Sequence, residues 1–153
     1  MQDLLIRKAT PAGKPTLLQF EQGVIATERP FDPTVKPDPI NYYNLEELLT
    51  APHIYCVVAE IDGEVVGCGY ARLEYAKHYI KHLQFAYLGF MYVLPKYRGQ
   101  GINSKVLAAL EGWAKSQNVT EFRLEVYQDN LPAIKAYEKV GYSRLMIQMR
   151  KGE

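Results

Sequence analysis

The chain has 153 residues, 48% of them hydrophobic, and 18 Lys and Arg against 17 Asp and Glu, for a formal net charge of +1. That size and composition lead us to expect a single globular domain over residues 1–153, not disorder, and without the cation surplus that nucleic-acid binders use to displace counterions. The N-terminus has no apolar core for a leader and carries Arg7 and Lys8 on the wrong side of its short apolar stretch. No apolar run reaches the roughly 18 residues of a membrane span, and Cys56 and Cys68 are too few for a disulfide framework. The expectation is a cytoplasmic chain, monomer or homodimer, with no membrane or nucleic-acid partner.

Leu4 to Ala9 reads as a first strand, stopped by Thr10-Pro11. From Pro15 the spacing of Leu17, Leu18, Phe20, Val24 and Ile25 predicts a helix. Pro30, Pro33, Pro37 and Pro39 then impose a long structured loop between Arg29 and Tyr43, because proline fixes φ and removes donors. Loops of this length inside a domain are usually functional or disordered. Asn44 caps a short helix through Leu45, Leu48 and Leu49, which Pro52 ends.

Ile54–Ile61 and Glu64–Leu73 flank Asp62-Gly63, the pair that two-residue hairpin turns favour. In the simplest register Ile61 faces Glu64 and Cys56 faces Gly69, which puts Cys56 and Cys68 on opposite sides of the sheet. A further strand runs from Phe85 to Val93, with a bulge expected at Gly89. After Pro95 the period becomes helical, with Ile102, Val106, Leu110 and Trp113 on one face. Glu121–Val126 alternates as a strand. Asn130 caps a final helix, Pro132 sits in its first turn and Gly141 stops it. Tyr142–Arg150 reads as one last strand. The order β-α-α-β-β-β-α-β-α-β predicts an α+β fold, a mixed α/β layer with helices covering a sheet.

The chemistry concentrates at Arg98-Gly99-Gln100-Gly101-Ile102-Asn103-Ser104, where a strand runs into a turn with two glycines and opens an amphipathic helix. Glycines admit close backbone approach, and the free N–H groups of a helix start attract an anion. Lys96, Arg98 and Lys105 add positive charge, so a phosphate or pyrophosphate is the expected guest. A Walker A run is absent. The dinucleotide pattern Gly-x-Gly-x-x-Gly fails at Ser104, and a hairpin precedes the turn where that fold wants an alternating parallel sheet.

Arg98-Gly99-Gln100-Gly101-Ile102-Asn103 resembles the cofactor loop Gln/Arg-x-x-Gly-x-Gly/Ala of the GNAT superfamily of acyl-CoA-dependent N-acyltransferases, with Asn103 departing at the sixth position. The lead-in Met91-Tyr92-Val93-x-Pro95-x-Tyr97 is similar too, as is Asn130-x-x-Ala133-Ile134-x-x-Tyr137-Glu138-x-x-Gly141-Tyr142. Motif-level resemblance covers about Tyr87 to Tyr142, and the element order agrees over nearly the whole chain.

The resemblance implies a central, mostly antiparallel twisted sheet with helices on both faces and a splayed pair of strands ending at Val93 and Val126. It also implies that acetyl-CoA is the cosubstrate and that no metal is needed. Pantetheine would enter the splay along Met91, Tyr92 and Val93. The pyrophosphate would rest on the amides from Arg98 through Gly99, Gln100, Gly101, Ile102 and Asn103 to Ser104. Asn130 and Ala133 would face the pantetheine arm.

Acetyl transfer to an amine has two proton problems: an amine of pKa about 10.4 must lose a proton before it attacks, and the departing thiolate gains from a nearby acid. Tyr137 matches the family tyrosine aimed at the sulfur; read without the motif it is a packed ring beside Ala133 and Ile134. The strand before the glycine turn holds no acid, so Glu125 becomes the leading base. Its setting resembles the branch that acetylates protein N-termini, and the plain alternative is a solvent-facing strand residue. Water relays through Glu74, His82 or Tyr127 are further options, and the bulged strand near Met91 is the expected oxyanion donor.

His78-x-x-x-His82 has metal-ligand spacing, but with Cys56 in mid-strand it reads as a polar excursion. Residues after Tyr142 suffice for one strand and no return, which leaves the acceptor side open or completed by another chain. The expected activity is N-acetylation of a primary amine, on a small molecule or a protein N-terminus or lysine, by direct attack. The rival is a non-catalytic acyl-CoA-binding module.

Overall fold

Five strands pair in chain order in the computed structural model, which describes residues 3–153. Met1 and Gln2, part of the N-terminal stretch read above, lie outside them. The strands are β1 Leu4–Lys8, β2 Ile54–Ile61, β3 Glu64–Tyr75, β4 Gln84–Val93 and β5 Phe122–Arg123. Neighbours run antiparallel except β4 and β5, which are parallel. The helices are α1 Lys14–Glu28, α2 Leu45–Thr50, α3 Ile102–Ser116 and α4 Leu131–Lys139.

The sheet is apolar on both faces, and each face has its own core. Val57, Val66, Leu88, Val106 and Leu110 pack between the sheet and α3. Leu17, Phe20, Leu48, Cys56, Val58, Cys68 and Phe90 pack between the opposite face, α1 and α2. Burying aliphatic side chains such as Val57, Val66 and Leu110, each 0% exposed, contributes about 1.5–3 kcal/mol apiece. Trp113, expected on the buried face of α3, is half-buried and stacks on Tyr55 with 5.3 Å between ring centroids. The caps form as the sequence predicts: Asn44 Oδ1 accepts from Glu47 N–H at 3.1 Å, and Asn130 Oδ1 from Ala133 N–H at 3.4 Å.

Two bulges correct the simple registers. Glu60 faces Val65, but Ala59 faces Gly67, so Val66 is an extra residue on β3. Every pair beyond it shifts by one: Cys56 faces Tyr70, and Cys68 faces Val58. Cys56 and Cys68 therefore share one face of the sheet, not opposite faces, and both are buried free thiols. On β4 the irregularity falls at Phe90–Met91 opposite Gly69, and Phe90 takes a φ of 54°. Gly89, where the bulge was expected, has a packing role: a Cβ there would lie 2.5 Å from the Tyr70 hydroxyl.

Two segments differ from the sequence reading. β5 was expected over Glu121–Val126, yet its pairing with β4 stops at Tyr87↔Arg123. Residues 76–83, which hold His78 and His82, form the irregular excursion expected of them. Tyr142–Arg150 forms no strand; it is irregular, with Leu145, Met146, Ile147 and Met149 between 70% and 88% exposed. Its alternation is strand-like, but the described sheet offers it no pairing, and local pattern alone does not make a strand.

Candidate active site

Because β4 and β5 stay paired only at Ala86–Phe122 and Tyr87–Arg123, the chain beyond these points diverges into two walls. One wall is Met91–Val93 and the other is Glu125–Tyr127; together with α1 and α4 they enclose a cleft of about 540 Å3. The bulge at Phe90–Met91 lies on the first wall. A second concavity of about 350 Å3 covers the glycine turn and shares Val93, Arg98, Gly99, Asn103 and Ala136 with the first. The two form one groove running from the helix start into the splay.

The turn is built as its sequence requires. Gly99 and Gly101 take φ of 79° and 80°, in the left-handed region that L side chains avoid, and Gly101 is the N-cap of α3. Arg98 Nε donates to the carbonyl of Val93 at 2.9 Å, and its guanidinium lies over the Tyr92 ring at 5.5 Å. Ser104 Oγ donates to the Gly101 carbonyl at 2.9 Å. Lys139 at the end of α4 also lines this end of the groove and adds a cation.

Most of the residues singled out by sequence meet here. Met91, Tyr92, Val93, Arg98, Gly99, Asn103, Glu125, Asn130, Ala133 and Tyr137 line the larger cleft. Gly101, Ile102 and Ser104 line the smaller concavity, while Gln100 lines neither. Tyr137 is largely buried, and burial raises its hydroxyl above the usual tyrosine value; the Asn103 side chain beside it draws it back and the charge of Glu28 raises it. Asn103 Oδ1 is buried without a hydrogen-bond partner among the described residues. Glu125 Oε1 accepts from the Tyr87 hydroxyl at 3.0 Å, while its second oxygen accepts no bond among those residues.

Glu74 and His82, considered as relays, are elsewhere. Glu74 faces Phe85 at the far end of β4, roughly 25 Å of strand from Val93. His82 Nε2 lies 3.6 Å from Glu121, and no group of three metal-ligating side chains occurs among the described residues. Tyr127 does line the cleft, but its hydroxyl donates to Asp32 Oδ2 at 2.8 Å.

One acid on the cleft wall escaped the sequence reading. Val24, Thr27 and Glu28 bring the last turn of α1 onto it, at the three- and four-residue spacing of one helix face. Burial raises the Glu28 carboxyl above its ordinary value, against a hydrogen bond from Tyr42 that lowers it and the charge of Asp32 that raises it. The signal was available in that spacing, but Glu28 adjoins the proline-rich stretch and reads there as a helix end.

The profile of the acetyltransferase (GNAT) family matches residues 22–142. An N-alpha-acetyltransferase of Sulfurisphaera tokodaii is 33% identical over 116 residues, 72% of this chain and 70% of its own length. A mouse thialysine N-epsilon-acetyltransferase is 35% identical over 98 residues, 59% of this chain and 56% of its own. Among solved structures, a Bacillus halodurans protein superposes with a TM-score of 0.86 at 17% identity, covering 97% of this chain and 99% of that one. A Clostridium acetobutylicum protein described as a predicted acetyltransferase, solved with acetyl-CoA, superposes at 0.74 and 18% identity, covering 98% and 96%. The chain belongs to the GNAT acetyltransferase family. Its activity is acyl-CoA-dependent N-acetyl transfer to an amine.

Proposed function

We propose that residues 1–153 form one acetyltransferase domain, working in the cytoplasm, which moves an acetyl group from acetyl-CoA to a primary amine by direct attack. The observation that carries this reading is the continuous groove in which the glycine turn, the β4 bulge, Tyr137 and Glu125 line one cleft. The amides and cations of the turn hold the diphosphate end. The edges of Met91–Val93 and Asn130 hold the pantetheine arm, with the Val93 carbonyl already engaged by Arg98. Asn103 Oδ1, an acceptor with no donor, receives an N–H of the same arm.

The bound thioester supplies an activated acetyl carbon. Glu125 takes the proton of the incoming ammonium through its free oxygen while Tyr87 holds the other. The amine nitrogen then bonds the acetyl carbon, the C–S bond breaks, Tyr137 gives its proton to the sulfur, and the second proton that the nitrogen sheds as the amide forms restores the Tyr137 hydroxyl. A hydroxyl pKa raised by burial keeps Tyr137 protonated, as a general acid must be at the start of the step. The main-chain N–H at the β4 bulge stabilises charge developing on the carbonyl oxygen.

Glu28, Asp32 and Glu125 surround the acceptor side with negative charge, which favours a cationic amine and disfavours an acidic one. The relatives bear names of protein N-terminal, amino-acid side-chain and aminoglycoside acetyltransferases. Thiol release from acetyl-CoA, followed over peptides, lysine analogues and aminoglycosides, tests the reading. Turnover with at least one cationic amine, lost in Glu125→Gln and slowed in Tyr137→Phe, is the expected outcome. Acetyl-CoA binding without turnover on any of them would favour the non-catalytic module.

A further inference from the structure

β3 and β4 outrun the rest of the sheet. β2 pairs with β3 only as far as Ile54↔Arg72, and β5 pairs with β4 only from Ala86↔Phe122. Residues 74–85 therefore carry on as a two-stranded ribbon with no further strand on either side among the described residues. The ribbon ends in the irregular residues 76–83, closed by Ala76 N–H donating to the Leu83 carbonyl at 2.9 Å. A hairpin turn needs only about two to five residues, so this tip is longer than its connection requires.

The extra length carries one sign of charge. Between Tyr75 and Phe85 the chain has Lys77, His78, Lys81 and His82 and no Asp or Glu. Neither lysine is in an ion pair among the described residues, while His82 faces Glu121. Tyr75, Tyr79 and Leu83 are 76%, 67% and 76% exposed, and Lys77 Nζ lies 5.9 Å from the centre of the Tyr79 ring. Exposed tyrosines gathered in this way are what protein interfaces bury.

The other end of the same sheet face has the opposite sign. Glu28 and Glu125 line the cleft and Asp32 holds Tyr127 beside them, none of the three in an ion pair among the described residues. Tyr87 and Phe85 run between the two ends. The Arg72 guanidinium lies 5.2 Å from the centre of the Tyr87 ring, and that of Arg123 lies 5.3 Å from the centre of Phe85. Glu125 joins this floor through the Tyr87 hydroxyl. At about 3.3 Å per strand residue the tip lies about 20 Å from Glu125, the reach of about six extended residues.

We infer that the ribbon tip docks the acceptor and that the acceptor is a polypeptide: its amine lies at Glu125, and acidic side chains about six residues along it meet Lys77 and Lys81. The inference rests on acetyl transfer to an amine at Glu125. A negative pocket and a positive tip about 20 Å apart match a chain with a cationic end and an acidic stretch, whereas a single amino acid or sugar amine is too short to meet both. A nucleic acid fits less well, because its phosphates would also face Glu28, Asp32 and Glu125, and the whole chain carries a net charge of only +1.

Peptides of about twelve residues, sharing one neutral N-terminal sequence with a free amine, carry either glutamates or glutamines from about the sixth position on. Their affinity is read by fluorescence anisotropy with coenzyme A bound, and their acetylation by thiol release from acetyl-CoA. The wild type should bind the glutamate peptide at least about fivefold more tightly than the glutamine one, with a difference that shrinks as salt is raised. Lys77→Glu/Lys81→Glu should abolish or reverse that preference and leave kcat unchanged on a peptide cut before the glutamates. Should that variant fail to fold, Lys77→Gln/Lys81→Gln should still reduce the preference. Equal affinity for the two peptides overturns the proposal, as does a preference that survives in the lysine variants. A single-stranded RNA oligomer that displaces the glutamate peptide and binds more tightly overturns it too, because the occupant is then a nucleic acid. Glutamate peptides that bind as expected but are never acetylated would uphold the docking surface and overturn acetyl transfer at Glu125.

Discussion

Replacing Glu21 perturbs the buried carboxylate that ties the proline-rich loop to α1. Glu21 is a charged residue with 0% exposure, at a position where the helix otherwise buries Leu17, Phe20, Val24 and Ile25. Its Oε1 accepts from Asn41 Nδ2 at 2.6 Å, and its Oε2 accepts the backbone N–H groups of Tyr42 at 2.9 Å and Tyr43 at 2.7 Å. Glu21→Ala orphans all three donors. At about 1–3 kcal/mol for each unsatisfied buried group, less what entering water recovers, the loss is about 3–5 kcal/mol. That is a large part of the roughly 5–15 kcal/mol that holds a domain folded. For a chain of this size it lowers Tm by about 6–20 °C.

Glu21→Gln should behave differently. The new amide keeps one oxygen for the two backbone donors, and turning over the Asn41 amide presents an oxygen to the new NH2 group. The cost falls to about 1–2 kcal/mol, the difference between charged and neutral hydrogen bonds. Urea unfolding of both variants reads these numbers, and the Michaelis constant for the amine should rise, because Tyr42 in the same loop hydrogen-bonds Glu28. An alanine variant that loses less than about 1 kcal/mol, or a glutamine variant as unstable as the alanine one, would refute the reasoning.

Three further outcomes follow from the same geometry. Tyr137→Phe should lower kcat by about 10²- to 10⁴-fold with little change in acetyl-CoA affinity, as steady-state kinetics with separate titration would show; an unchanged kcat at every pH removes Tyr137 from the reaction. Cys56, whose thiol burial pushes up to about 12, and Cys68, pushed well above the ordinary value by burial, should resist a disulfide reagent at mildly alkaline pH until the chain is unfolded. A fast-reacting thiol in the native protein would contradict the packing of that face. Burial, and then neighbouring carboxylates, raise Tyr42 to about 12 and also raise Tyr87 and Tyr127. The folded chain therefore keeps protons that the unfolded chain loses near pH 10, and stability should fall as pH rises through that window. Melting temperatures that are level from about pH 9 to about pH 11 would contradict those environments.

Much of this fold was legible because local signals agreed with one another. Asp62-Gly63 announced the hairpin, Asn44 and Asn130 announced two helix starts, and the paired glycines announced the turn into α3. What escaped were features decided between segments. The extra residue at Val66 is invisible in an alternating apolar run, and it moved Cys56 and Cys68 onto one face. The bulge falls at Phe90–Met91, and Gly89 instead clears the Tyr70 ring. Periodicity spoke for a strand at Tyr142–Arg150, but a strand exists only where an edge receives it. In the candidate site, the turn, Tyr137 and Glu125 came from motif and alternation. Glu28 came from neither, because its meaning depends on where α1 crosses the splay.

The central claim is that acetyl-CoA binds the groove between the glycine turn and the splayed strands. Calorimetric titration of acetyl-CoA into the wild type and into the Arg98→Ala/Gly101→Glu variant tests it most directly. A carboxylate at position 101 would face the phosphates from a backbone conformation that suits only glycine, and loss of Arg98 removes a cation from the same turn. Saturable one-to-one binding to the wild type, abolished in a variant that melts as a folded protein, is the predicted result. No binding to the folded wild type, or equal binding to the variant, would contradict the account.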